Sequence, residues 1–69
     1  MQKKSVVIAG RHQTSISLED EFYAELESIA KEKSISINSL VTEIDSKREH
    51  ENLSSAIRVY ILKYLKEKK

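Results

Sequence analysis

Hydrophobic and polar residues alternate over residues 11–18, where His12, Thr14, Ile16 and Leu18 share one parity. Alternation with β-branched residues on the more apolar side is typical of a half-buried strand. Residues 5–9 are also rich in strand-forming side chains, and Gly10 can introduce a bulge or bend between the two stretches. The pattern therefore predicts one β-strand over 11–18, preceded by a β-prone segment.

After Leu18 the period of the pattern changes to that of helices. The first apolar stripe comprises Phe22, Leu26, Ile29 and Ala30. It predicts a helix from Glu19 to about Lys33, in which Ser17 and Asp20 resemble a capping box and the acidic start suits the helix dipole.

Two further helices follow. Ser36 is a suitable N-cap for a second helix that fades through residues 45–48; its apolar residues are Ile37, Leu40, Val41 and Ile44. Asn52 is a suitable N-cap for a third helix over about 52–66. Its broad stripe comprises Leu53, Ala56, Ile57, Tyr60, Ile61, Tyr64 and Leu65.

The backbone hydrogen bonds that the predicted strand requires indicate the oligomeric state. A single strand followed only by helices leaves a row of backbone donors and acceptors without partners. Pairing with the same strand of a second copy solves this, so we expect an antiparallel ribbon on a two-fold axis. The predicted fold is mostly α with one strand, in a homodimer with an intermolecular ribbon. The predicted core and dimer residues are Ile16, Leu18, Phe22, Leu26, Ile29, Leu40, Val41 and Ile44.

Size and composition support oligomerisation. The chain has 69 residues and no cysteine, which excludes disulfides and thiolate metal sites. No stretch approaches the roughly 20 apolar residues of a membrane span, and we expect a cytoplasmic protein. The net charge is only +1, but an N-terminal arm containing Lys3, Lys4, Arg11 and His12 precedes any acidic residue. A basic arm on an acidic body suits a protein that touches phosphates with one edge.

Two segments resemble the ribbon-helix-helix superfamily, the β-ribbon DNA readers related to the Arc and methionine repressors. TSISLEDEF at residues 14–22 resembles the strand and acidic start of the first helix, and SISINSLV at 34–41 resembles the turn and second helix. NLSSAIRV at 52–59 resembles a bacterial subgroup with an added third helix. The chain departs from the family pattern at Glu19, where proline is frequent, and at Lys33 and Ser34, where glycine is frequent.

The resemblance implies double-stranded DNA binding by a homodimeric transcriptional repressor that regulates its own or a neighbouring operon. Gln13, Ser15 and Ser17 would face the major groove, where Gln can pair with adenine. The start of the second helix would clamp a phosphate. The expected phosphate contacts are Lys3, Lys4, Arg11, Ser36, Ile37 and Asn38. The competing interpretations are an ordinary solvated strand face and an ordinary helix cap.

Other functions have weaker support in the sequence. A protein-interaction module, such as an antitoxin or adaptor, would use the third helix to hold a partner. A basic helix lying on a membrane is the least favoured alternative. We expect no enzyme, no cofactor and no metal, because the sequence has no glycine-rich phosphate loop, no cysteine nucleophile and no plausible Ser–His–acid set. The expected organisation is an arm or extra strand over 1–10, a core over 11–48 and a helix over 52–66 packed on the same domain.

Overall fold

The computed structural model describes residues 2–8, 12–47 and 51–67. Two strands are followed by three helices. The elements are β1 (Gln2–Ile8), β2 (His12–Leu18), α1 (Asp20–Glu32), α2 (Ile37–Lys47) and α3 (Leu53–Glu67). Among the described residues, no helix combines the length and apolar character needed to cross a membrane.

The two strands form an antiparallel hairpin within one chain, with Gln2 opposite Leu18 and Ile8 opposite His12. This corrects the expectation that β2 has no partner in its own chain; the intermolecular ribbon expected from the sequence stays a prediction. Pairing with β1 is favoured because Val6 and Ile8 become buried beside Ile16 and Leu18. Of the two interpretations of residues 1–10, the structure has the extra strand over Gln2–Ile8.

The helices cover one face of the hairpin and enclose a single core. The buried residues are Val6, Ile8, Ile16, Leu18, Leu26, Ile29, Ala30, Leu40, Val41, Ile44, Ala56, Ile57 and Ile61. The expected core residues all belong to this set except Phe22, which is half-buried against it. Because α3 contributes Ala56, Ile57 and Ile61, it is part of the same hydrophobic core as the strands and the first two helices.

Side chains cap the second and third helices as their sequences predict. Ser36 Oγ accepts a hydrogen bond from the Ser39 amide at 3.0 Å, and Asn52 Oδ1 accepts one from the Ser55 amide at 3.1 Å. These bonds satisfy amides that the first turn of a helix leaves without partners.

The capping box predicted for α1 does not form. Glu19 occupies the N-cap position and makes no side-chain capping hydrogen bond. The reason is that Ser17 still belongs to β2, so it lies too early in the chain to cap a helix that begins at Asp20.

The turn between α1 and α2 is a Schellman motif, in which Ser34 has a φ of 60°. The Ser34 amide donates to the Lys31 carbonyl at 3.1 Å, and the Ile35 amide donates to the Ala30 carbonyl at 3.0 Å. A serine therefore adopts the left-handed conformation at a turn where the pattern that the chain resembles frequently has glycine, and the helix still ends with its last carbonyls satisfied.

Replacing Ser34 by glycine should stabilise the protein. The left-handed conformation costs a non-glycine residue roughly 1–2 kcal/mol, and glycine relieves that cost while adding entropy to the unfolded chain. We expect the free energy of unfolding to rise by about 0.5–1 kcal/mol in urea denaturation. The matched control is Ser28→Gly in the exposed interior of α1, which should be destabilising. Equal effects of the two substitutions would contradict this account of the turn.

Candidate nucleic-acid interface

One face of the hairpin points away from the helices, and we call it the outer face. Residues directly opposite each other in an antiparallel pair project to the same side. Three such pairs alternate with the pairs that contain buried residues. The outer face comprises Lys3, Ser5, Val7, Gln13, Ser15 and Ser17. All of these are exposed except Ser17, which is half-buried.

The structure brings the expected base-contacting residues together on this face. Gln13, Ser15 and Ser17 lie along β2, and Lys3 lies opposite Ser17 at one end. A face with small polar side chains in its middle and a lysine at one end can approach base edges closely while offering a positive charge to a phosphate.

Sequence reasoning missed the contribution of Ser5 and Val7, which β1 adds to the outer face opposite Ser15 and Gln13. The signal in the sequence is weak, because Val7 is itself apolar like Val6 and Ile8, and only Ser5 differs from them. Residues 1–10 were predicted to form an arm or an extra strand, so their register with β2 was not predicted.

The two neighbouring lysines of β1 point in opposite directions. Lys4 lies opposite Ile16, on the helix side of the hairpin, and its Nζ atom is 5.6 Å from the centre of the Tyr23 ring. That geometry is a cation–π contact with α1. Lys3 therefore lies on the outer face and Lys4 does not, and the phosphate contact expected for Lys4 stays a prediction.

The N-terminus of α2 lies beside the open edge of β1. Asn38 Oδ1 accepts a hydrogen bond from the Val7 amide at 3.4 Å, which joins this helix end to the hairpin. The first turn of α2, which begins at Ile37, contains no acidic residue. The positive end of the helix dipole is therefore not offset by a carboxylate of that turn, and an anion can be attracted there.

The candidate phosphate contacts in this turn differ in whether their hydrogen-bonding groups are already engaged within the turn. The Ser36 hydroxyl is already engaged, since it accepts from the Ser39 amide and donates to Ser39 Oγ at 3.0 Å. The amides of Ile37 and Asn38 are first-turn groups, which the helix itself leaves without carbonyl partners. They are better suited to a phosphate than the serine side chain. Arg11, the remaining expected contact, lies outside the described residues.

Helix α3 holds the end of β2 where the chain enters α1. The Ser17 amide donates to Ser54 Oγ at 3.0 Å, and the Ser17 carbonyl accepts from the Arg58 guanidinium at 3.1 Å. Arg58 Nε also donates to Glu19 Oε1 at 2.9 Å. The backbone amide of Glu19 and the Arg58 guanidinium together lower the pKa of the Glu19 carboxyl below its ordinary value.

Other groups in the described residues offer little for chemistry. No cluster of histidine and acidic side chains there could hold a metal ion. Tyr60 and Tyr64 stack with a centroid distance of 6.1 Å and pack against the core, so their rings are not free platforms for bases. His12 is exposed at the end of the hairpin, and His50 lies outside the described residues.

Comparisons with known proteins agree with this architecture. A family model described as a ribbon-helix-helix domain matches residues 1–65. The match spans both strands, α1, α2 and most of α3, and therefore the whole outer face. No curated protein and no solved structure matches the chain.

Proposed function

The chain belongs to the ribbon-helix-helix domain family, and from that premise we propose that it is a sequence-specific DNA-binding repressor of its own or a neighbouring operon. Domains of this family generally bind DNA and typically form dimers. In the proposed complex the outer face of the hairpin enters the major groove, and the first turn of α2 binds a flanking phosphate.

The outer face is the observation that carries this proposal. A two-stranded ribbon fits the major groove of B-DNA, where each base pair presents a distinct set of donors and acceptors. Ser15 is exposed at the middle of the face and Gln13 at one end of it, and their side chains can donate and accept hydrogen bonds. Lys3 and the amides at the start of α2 lie around these residues, where phosphate contacts would orient the face on the duplex.

We also propose a homodimer that joins through the second edge of β2. The bonds of Ser17 to α3 show which edge this is, and strand alternation directs the backbone groups of Gln13 and Ser15 to the same edge. A cleft of about 640 Å³ has Ser15 and Ser17 of β2 and Ser54 and Arg58 of α3 among its lining residues. A second copy approaching about a two-fold axis would pair these groups, so that the two copies of β2 form the central two-stranded ribbon and one β1 lies on each side of it.

Sedimentation equilibrium at low micromolar concentration tests the dimer. We expect a mass of twice the 8.0 kDa of the chain. A folded monomer at this concentration would contradict the proposed edge pairing, while leaving the fold of the single chain intact.

Binding to the DNA upstream of the protein's own gene tests the function. Fluorescence anisotropy should show preference for that duplex over a scrambled duplex of equal length, by a factor of about 10³ or more at physiological salt. Equal affinity for both duplexes would contradict a sequence-specific regulator of that gene.

The two lysines of β1 provide a matched pair of substitutions. Lys3→Ala should reduce the slope of log K against log salt concentration by about 2, because the homodimer loses one phosphate contact from each chain. Lys4→Ala should change the slope much less, since Lys4 lies over Tyr23 on the other side of the hairpin. Anisotropy titrations at several salt concentrations measure both slopes. Equal losses would contradict the assignment of the outer face as the DNA-binding side.

Docking of a protein partner on α3 is a second candidate function. Leu62 and Leu65 are large apolar side chains that are 52% and 40% exposed on this helix. Deleting the helix would also remove buried Ile57, so surface substitutions are the better test. Leu62→Asp with Leu65→Asp should abolish co-purification of the partner if α3 binds it, while unchanged recovery would remove α3 from this function.

A further inference from the structure

Val7 and Gln13 occupy one corner of the outer face as a directly opposed pair. The Val7 amide is bonded to Asn38 on α2, so it points away from β2. The pair is therefore a non-hydrogen-bonded one, in which the Cα atoms approach to about 4.5 Å and the side chains lie close together. An apolar side chain and a carboxamide are thus presented next to each other on the side assigned to DNA.

The exposure of Val7 distinguishes it from the other valines and isoleucines of the hairpin. Val6, Ile8 and Ile16 are buried, whereas Val7 is 37% exposed and faces away from the core. The other exposed large apolar residues of the described chain, Leu62 and Leu65, lie on α3. The packing of this chain therefore gives Val7 no apolar partner of its own on the outer face, where its neighbours are polar.

We propose that Val7 and Gln13 read two adjacent A·T base pairs, with Val7 contacting a thymine methyl group and Gln13 pairing with an adenine. This inference rests on the proposed function. It makes β1, together with β2, a strand whose side chains determine which base pairs are bound. The thymine methyl is the apolar group on the major-groove edges of the bases, and the N6 and N7 atoms of adenine match the donor and acceptor of a glutamine side chain. One chain thereby recognises the thymine methyl group and the adenine N6 and N7 atoms of two adjacent A·T base pairs.

A hydrogen bond of its backbone amide also fixes the position of Val7 relative to α2. Its amide bond to Asn38 Oδ1 links it to the first turn of α2, the proposed phosphate clamp. A phosphate bound there would set the distance of β1 from the duplex and bring Val7 to a defined base step. Ser5 and Ser15, the next opposed pair, are small enough to let this corner approach the bases closely.

Single-atom changes in the DNA test the proposal without altering the protein. Each thymine of the preferred upstream duplex is replaced in turn by deoxyuridine, which lacks only the methyl group, and each adenine by 7-deazaadenine, which lacks the N7 acceptor. We expect one deoxyuridine substitution to weaken binding of the wild-type protein about fourfold, the value for one buried methyl group. The sensitive adenine should lie in an adjacent base pair.

A double-mutant cycle assigns the thymine effect to Val7. Val7→Ala should bind the thymine and deoxyuridine duplexes equally, while Gln13→Ala should lose the sensitivity to 7-deazaadenine. Leu62→Ala trims another exposed apolar residue and should retain both sensitivities, which makes it the control.

The outcomes separate this inference from the proposed function. If the wild-type protein prefers its upstream duplex but tolerates every deoxyuridine substitution within about 1.5-fold, the Val7 contact is wrong and the regulator stands. If Val7→Ala still binds the deoxyuridine duplex more weakly than the thymine duplex, the Val7 contact is likewise wrong and the regulator stands. If the wild type has no preference among duplexes, both the regulator and the Val7 contact are overturned.

Discussion

Replacing Gln13, Ser15 and Ser17 together by alanine should weaken binding to the preferred duplex at least about 100-fold. A good bidentate contact to a base contributes about 1–3 kcal/mol of discrimination, and a dimer would lose the three side chains twice. Binding to scrambled DNA should change little, because Lys3 and the first turn of α2 still contact phosphates. Competition anisotropy with specific and scrambled duplexes measures the two affinities in one experiment.

The triple variant should keep its fold, since none of the three side chains is buried. Ser17 is tied to α3 through its backbone amide and carbonyl, which alanine retains. A matched control replaces exposed serines elsewhere, for example Ser28→Ala on α1. An unchanged ratio of specific to non-specific affinity in the triple variant would contradict recognition by β2.

Replacing Ile57 by alanine should destabilise the protein by about 2–5 kcal/mol. The Ile57 side chain, in the first half of α3, is 0% exposed, and its truncation leaves a cavity between the helix and the rest of the core. A single core of this size rarely supplies more than roughly 3–5 kcal/mol. We therefore expect an isolated Ile57→Ala chain to be largely unfolded, as measured by circular dichroism during urea denaturation.

Leu62→Ala is the control for that experiment, because Leu62 lies on the same helix but is half exposed. It should change the free energy of unfolding by no more than about 0.5 kcal/mol. If Ile57→Ala left the denaturation midpoint unchanged, α3 would be an appendage, and its hydrogen bonds to Ser17 would not hold β2 in place.

The sequence pattern predicted the helices well, because a helix is specified by residues that lie close together along the chain. Apolar stripes at helical spacing, together with the caps Ser36 and Asn52, gave element boundaries within a few residues of those observed. The side of β2 that carries Gln13 also followed from parity, since burial of Ile16 and Leu18 fixes the other face.

The partner of β2 within its own chain was missed because the sequence leaves a choice between two roles for residues 1–10, an arm or an extra strand. Residues of β1 carry both a basic charge and strand-forming side chains, and only packing shows that Val6 and Ile8 are buried in the core. The register of β1 against β2 also decides that Lys3 lies on the outer face and Lys4 on the side that packs against the helices. Sequence alone also could not show that Arg58 reaches Glu19 and Ser17, since these residues are far apart along the chain.

Chemical-shift mapping of the ¹⁵N-labelled protein with its preferred duplex tests the central claim most directly. If the hairpin enters the major groove, the largest perturbations will occur at the amides of Ser5, Val7, Gln13 and Ser15 and in the first turn of α2. The amides around Leu62 and Leu65 should shift little. Perturbations confined to α3, with the hairpin amides unmoved, would contradict recognition by the outer face.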